Sequence, residues 1–473
     1  MKSQFKQAAA IALLLLAAPL AIAKPNIIFL LADDQRSDVL GSYGNALIQT
    51  PTLDKLAAQG VRFENAFCEV PICAASRATL FSGLSQRTHG FNFFENTVPA
   101  EYLPTSYPAM LKEAGYRIGF VGKYGMGFAK PGLRDQFDFF EAIGRNPYLK
   151  EMPDGNLRHE TDLCVDAGIR FIDTVSEEAP FCLSISFNAS HAEDGDKRPG
   201  QHFQWPESAN GLYEEVEIPA PALSDDKYFE ALPPFLQDKE GLSYERYFWR
   251  WDTPEKYQTN IRAYYRMITG IDNAIARLLE TLKAKGLDQN TIIVYSADNG
   301  FMMGDRQTAG KWNHYDQSLS IPLIIYDPRL PQSKRGRVLT ELVSNLDMAP
   351  TFVDMAGLKV PAVHQGRSLV PLIQGQTVSW RQDFFCEHLF DWYNDWHAVR
   401  SAKYKYAVYY DDDYECLYDL EKDPNELHNL AQSPEYASVR RHMIKRLEAY
   451  KSEYPKVEGA PTQTKPRPKA KSR

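Results

Sequence analysis

Lys24-Pro25-Asn26-Ile27-Ile28-Phe29-Leu30-Leu31-Ala32-Asp33-Asp34 decides how this chain is read. An unbroken apolar run followed by two acids reads as a strand buried on both faces, with carboxylates at its C-terminal end. That edge of an open α/β sheet is where ligands sit. A single aspartate there would cap the next element. Two adjacent ones repel unless they share a cation, and hard divalent ions take such oxygens readily.

The same grammar recurs three times. Tyr116 to Val121 runs into Gly122-Lys123, Phe181 to Phe187 runs on to His191, and Thr291 to Ala297 runs into Asp298-Asn299-Gly300. Helical segments alternate with these strands: Thr50–Gly60, with Thr50 as N-cap, Pro51 in the first turn and Gly60 closing, then Tyr107–Ala114, Thr161–Thr174 and Tyr257–Lys285. Alternation of this kind predicts an α/β sheet, with Asp33, Asp34, Lys123, His191, Asp298 and Asn299 all at strand ends. Alone, Lys123 would pass for a solvated lysine and His191 for a structural histidine.

Between the first two strands lies Val70-Pro71-Ile72-Cys73-Ala74-Ala75-Ser76-Arg77-Ala78-Thr79-Leu80-Phe81-Ser82-Gly83. Its small residues place Cys73 at a helix start, where free N–H groups favour negative charge, with Arg77 one turn on. Such a cysteine is either a small buried hydrophobe or an activated thiol.

Cys73, Ala75, Arg77, Ser82 and Gly83 together resemble the signature of the type I sulfatases, in the alkaline phosphatase superfamily, with Ala75 where most members carry Pro. The resemblance implies that Cys73 is oxidised to formylglycine by a formylglycine-generating or anaerobic sulfatase-maturing enzyme. It implies one Ca2+ held by Asp33, Asp34, Asp298, Asn299 and the side chain at 73. Arg77, Lys123, His191 and Lys311 become the remaining catalytic residues, Lys311 from Gly310-Lys311-Trp312-Asn313-His314-Tyr315-Asp316. The hydrated aldehyde would attack the sulfur of a sulfate ester, with His191 or Lys311 protonating the departing alcohol. One departure stands out: Gly122-Lys123-Tyr124-Gly125 carries Gly125 where the family has a histidine, and His89 or a metal-bound water is the candidate replacement. His314 reads as structural.

The resemblance also implies the fold class: a large mixed, mostly parallel sheet flanked by helices, with a smaller C-terminal α+β subdomain built on an antiparallel sheet. The predicted divisions are a catalytic domain at 24–365, a C-terminal subdomain at 366–455 and a basic tail at 456–473. Residues 193–253, aromatic, acidic and poor in periodicity, read as a lid-like insertion.

Composition bounds the rest. Lys2 and Lys6 before the apolar run Ala8–Ala21, ending Ala21-Ile22-Ala23, read as a secretory signal peptide over 1–23. The product is expected in the periplasm or outside the cell, with no membrane span after cleavage. The formal charge of −8 argues against nucleic-acid binding, so an anionic substrate needs a local basic pocket. Among six cysteines, Cys386–Cys416 is the predicted disulfide. Sulfated carbohydrate is the expected substrate, as algal galactan or ulvan fragments or glycosaminoglycan, with His388, His397 and Arg400 as candidate substrate-binding residues beside Glu387, Trp392 and Trp396. The alternatives are a metal-dependent phosphatase or phosphodiesterase of the same superfamily, or a non-catalytic sulfated-glycan binder keeping its Cys73 thiol. Histidines at zinc-ligand spacing are missing, which disfavours the former.

Overall fold

A computed structural model describes residues 24–92, 96–176, 179–389 and 394–457. The leader read at 1–23, Trp392 and the tail beyond 457 lie outside them.

Eight strands form the main sheet: β1 (Asn26–Ala32), β2 (Val61–Phe63), β3 (Arg117–Gly122), β4 (Phe139–Ala142), β5 (Phe181–Ser186), β6 (Thr291–Ala297), β7 (Leu323–Tyr326) and β8 (Arg337–Leu339). Their order is β8-β2-β7-β6-β1-β5-β3-β4. β1 lies in parallel between β5 and β6, with Ile27 opposite both Cys182 and Ile292. β7 runs antiparallel to both its neighbours, so the sheet is mixed and mostly parallel.

Every residue of β1, β5 and β6 is buried because helices cover both faces. On one face lie α1 (Pro51–Gln59), α4 (Glu160–Asp173) and α6 (Pro254–Ala284); on the other lie α2 (Cys73–Ser82), α3 (Tyr107–Glu113) and α7 (Met348–Met355). Phe29 of β1 meets Phe352 of α7 at 5.1 Å between ring centres, and Phe352 meets Tyr107 of α3 at 4.8 Å. Toward α4, Gly119 of β3 lets the Phe171 ring press on the backbone; a β-carbon there would lie 2.9 Å from the ring.

The C-terminal unit is an antiparallel meander, β9 (Asp383–His388), β10 (Trp396–Ser401), β11 (Tyr404–Tyr409) and β12 (Tyr414–Asp419), covered by α8 (Ala437–Glu453). Its small core joins Phe385, Val399, Leu417, Leu447 and Tyr450.

Two expectations are corrected. Cys386 and Cys416 sit on the two outer strands of the meander, and all six cysteines are free. Strands about 4.8 Å apart put those two positions beyond disulfide reach. Residues 193–253 are more regular than their sequence suggests: they contain α5 (Leu242–Arg250) and a shorter helix at Asp226–Glu230. Phe203 and Trp251 pack at 5.8 Å, and Phe203 reaches Tyr264 of α6 at 5.6 Å, so aromatic contacts replace periodicity as the organising signal.

Candidate active site

Cys73 is the first residue of α2, only 6% exposed, after the extended residue Ile72. The helix is buried along its whole length and closes at Gly83, whose φ of 71° suits the left-handed cap. Arg77 on the next turn is wholly buried and knits three strand ends together. Its Nε donates to Asp298 Oδ2 at 2.9 Å, and its Nη1 donates to the Lys123 carbonyl at 2.8 Å and to Ser186 Oγ. Ser76 Oγ donates to the Asp298 carbonyl and accepts from Asn345 Nδ2 at 2.9 Å.

Asp33, Asp34, Asp298 and Asn299 are all at most 1% exposed. Asp34 has a left-handed backbone, φ 54°, held by its N–H on Asp298 Oδ1 (3.2 Å) and its carbonyl under the Tyr264 hydroxyl (2.7 Å). Lys123 pairs with Asp33 and Lys311 with Asp34, while Asn299 Nδ2 donates to Asp34 Oδ1 at 2.8 Å. His191 Nε2 lies 3.5 Å from Asp34 Oδ2.

Three carboxylates thus meet three cations, and the titration behaviour follows. Burial pushes Asp33 upward, but Lys123, Lys311 and Arg77 outweigh it and hold its carboxyl at about 2. Burial and the neighbouring Asp33 lift Asp298 to about 6. Burial and the surrounding Arg145, Lys311 and Lys123 drive His191 well below the ordinary imidazole range.

Cation-ligating atoms of Asp33, Cys73 and Asp298 lie within 4.8 Å of one another, as do those of Asp33, Asp34 and His191. Asp33 Oδ1 and Asn299 Oδ1 are buried without a hydrogen-bond partner. Orphaned acceptors on buried oxygens are costly unless something electropositive meets them, and the carboxylate and amide oxygens of Asp33, Asp34, Asp298 and Asn299 suit a hard dication.

Two neighbours bear on the missing motif histidine. Gly125 borders the site with φ 60°, and a β-carbon there would lie 3.6 Å from Arg77 Cδ. His89 does not replace it. Its Nδ1 accepts from the Phe91 N–H, its Nε2 is 3.1 Å from Thr79 Oγ1, and burial lowers it to about 3. Both nitrogens are occupied in holding the turn after α2.

His388, His397 and Arg400 show no contact with the strand-end group. Arg400 pairs with Asp316 at 2.9 Å and stacks over Phe67 at 4.1 Å. His397 Nε2 lies 3.3 Å from Glu387 Oε2, and His388 is fully buried with its ring stacked on Trp396. The meander's own packing engages all three. His314 is structural as expected, with Nδ1 2.7 Å from the Tyr409 hydroxyl.

Sequence reasoning missed Arg145, whose guanidinium touches His191 Nδ1, and the pair Arg246 and Arg250 on α5, both bound to Asp194. Arg145 follows β4 as Lys123 follows β3, so the strand-end rule could have found it.

Comparison with known proteins gives a consistent result. The family model Sulfatase matches residues 25–358, and N-sulphoglucosamine sulphohydrolase, C-terminal, matches 304–453. An arylsulfatase of Clostridium perfringens is 31% identical over 91% of this chain and 96% of its own. An N-acetylglucosamine-6-O-sulfatase of Bacteroides thetaiotaomicron is 27% identical over 91% of this chain and 87% of its own. A solved protein in complex with its substrate D-glucosamine-2-N,6-O-disulfate superposes with a TM-score of 0.76 at 26% identity, covering 91% of this chain and 98% of that one.

Proposed function

The chain belongs to the sulfatase family and is a sulfuric ester hydrolase, and on that premise we propose an exported enzyme that removes sulfate from carbohydrate using formylglycine made from Cys73 and one calcium ion. The observation that carries this reading is the meeting of Cys73 with Asp33 and Asp298 beside orphaned acidic and amide oxygens.

Asp33, Asp34, Asp298 and Asn299, with the side chain at 73, would hold the cation. When bound, the ion supplies Lewis-acid polarisation and the hydrated aldehyde supplies the attacking oxygen. The protein's own residues do the rest. Lys123 and Lys311 pair with Asp33 and Asp34, and would be free to meet substrate where a dication held those oxygens. Their ammonium groups can then grip the sulfate oxygens as charge shifts among them. Arg77 holds Asp298 in line and keeps the start of α2 fixed to the strand ends. As the ester S–O bond breaks, the departing sugar oxygen takes a proton from Lys311, whose acidic neighbours keep it charged, in preference to His191, whose imidazole is held neutral.

Carbohydrate as substrate class is supported by the sulfated sugars named for two of the relatives. Export is supported by the basic, apolar and Ala-x-Ala pattern of residues 1–23. No helix among the described residues is long and apolar enough to cross a membrane. Residues 193–253 act as a wall of the substrate cleft in this reading.

Mass spectrometry of the peptide containing residue 73, paired with sulfate release from defined sulfated oligosaccharides, tests the proposal. An aldehyde with release is expected. An intact thiol in protein from a host with a maturation enzyme, and no release, leaves the glycan-binder reading in its place.

A further inference from the structure

Beside the strand-end group lies a second set of charges that does not balance. Arg145 leaves the end of β4 and touches His191 Nδ1. Asp194 follows His191 by three residues and accepts from Arg246 Nη2 at 2.7 Å and from Arg250 Nη2. Arg145 also feels the charge of Asp194. The Arg246 guanidinium lies 4.9 Å from the centre of the Trp312 ring, and Trp312 is the residue after Lys311. The set therefore lies between His191 and the Lys311-Trp312 segment.

The charges can be counted on each side. In the strand-end group Arg77, Lys123 and Lys311 balance Asp33, Asp34 and Asp298. In the second set three arginines face Asp194 and, at most, Glu193, which also acts on Arg145. At least one positive charge is in excess. Water reaches it unevenly: the Arg250 side chain is 1% exposed and that of Arg246 13%, and Arg145 is half-buried. The two sit one turn apart on α5, where like charges repel. Burial draws Arg250 below the ordinary guanidinium range, Asp194 works against that, and Arg246 adds to it. Nε of Arg246 and Nε of Arg250 are buried with no hydrogen-bond partner among the described residues, as are both ring nitrogens of His202, which stacks on Trp249.

Buried cations in excess, with donors left over, are costly in a finished protein. The missing element is an anion, and a guanidinium presents the fork that a carboxylate or sulfate matches with two parallel bonds. We propose that Arg145, Arg246 and Arg250, gathered on Asp194, form a subsite for a second anionic group, a carboxylate or a sulfate, on the sugar whose sulfate ester is hydrolysed. This rests on the hydrolase reading above and narrows it to polyanionic carbohydrate.

The test compares kcat/KM on three substrates: a neutral hexosamine carrying one sulfate, the same sugar carrying two, and a monosulfated sugar joined to a uronate. Hydrogen bonds to charged groups predict a preference of about 10- to 100-fold for a doubly anionic substrate. Whichever of the two is preferred identifies the second group as sulfate or carboxylate. Arg246→Gln is expected to bring the preference to within about 3-fold of unity, and Arg246→Lys, keeping the charge, to retain part of it. Arg145→Gln is the second variant, should Arg246→Gln fail to fold, and is expected to act in the same direction. Wild-type enzyme that treats all three substrates alike overturns this proposal and leaves the sulfatase reading standing. So does an Arg246→Gln enzyme that keeps the full preference. Failure to release sulfate from any of the three overturns the carbohydrate reading, and the subsite with it.

Discussion

Two buried charge clusters lie a few residues apart in this protein, and they are built to opposite ends. Around Asp316 every valence is used. Arg400 pairs with it at 2.9 Å and Lys405 at 2.6 Å, Lys405 also binds Glu426 at 2.6 Å and the His314 carbonyl at 2.9 Å, and Glu426 accepts the Asp316 N–H at 2.9 Å. Around Asp33 and Asp298 the formal charges cancel too, yet two acceptor oxygens are left without a donor. A closed network fixes the meander to the catalytic domain. An open one keeps acceptor oxygens that a cation could take. Charge balance alone does not tell the two apart; unspent acceptors do.

Breaking each cluster sharpens the contrast. Cys73→Ser, where no aldehyde forms, is expected to lower turnover by at least about 10⁴-fold while leaving the melting temperature within a degree or so, as steady-state kinetics and calorimetry would show. Arg400→Ala leaves Lys405, Asp316 and Glu426 imperfectly paired, and denaturant unfolding should register a loss of about 3–5 kcal/mol that calcium does not repair. Lys311→Ala reverses the pattern. Its instability should be relieved by millimolar calcium, while kcat stays down by roughly 10²- to 10³-fold. A Lys311→Ala protein indifferent to calcium would erase the distinction between the clusters. Chelation of the wild-type enzyme should abolish activity and lower its melting temperature by about 3 °C for an ion held at 100 times its Kd. The effect is gentle because the lysines already neutralise the empty carboxylates.

The smallest effect belongs to Asp272 on α6, outside both clusters. It accepts the Thr52 and Leu53 N–H groups at the start of α1, and burial raises it to about 6. The folded value lies above the ordinary one of 3.8, so its contribution to stability is complete below about pH 4 and lost as the pH rises through about 6. Melting curves of wild type and Asp272→Asn between pH 4 and 7 should differ in slope by about one proton, with the wild type falling more steeply.

The strand-end residues were legible because each is announced by a buried run that stops abruptly at a polar side chain. Asp33, Asp34, Lys123, His191, Asp298 and Asn299 all obey that one rule, and the sheet order brings them together. The arginine set, Arg145 aside, was not legible. Its members come from a strand end, a loop and a helix far apart in sequence, and only the tertiary path of residues 193–253 joins them. Residues of the meander are a different case: a conspicuous His, Trp and Arg composition suggested recognition, while Arg400 satisfies Asp316. The disulfide failed on sheet order, which cysteine spacing does not encode.

One feature of the sheet reaches back to synthesis. β1 is central, and Ile27 finds its partners only in Cys182 and Ile292, far later in the chain. Until both arrive, the innermost strand has two bare edges and the start of α2 has no floor to be buried against. On the proposed reading, the growing polypeptide would keep residue 73 within reach of a modifying enzyme until those strands arrive, and the folding that assembles the site would also seal it.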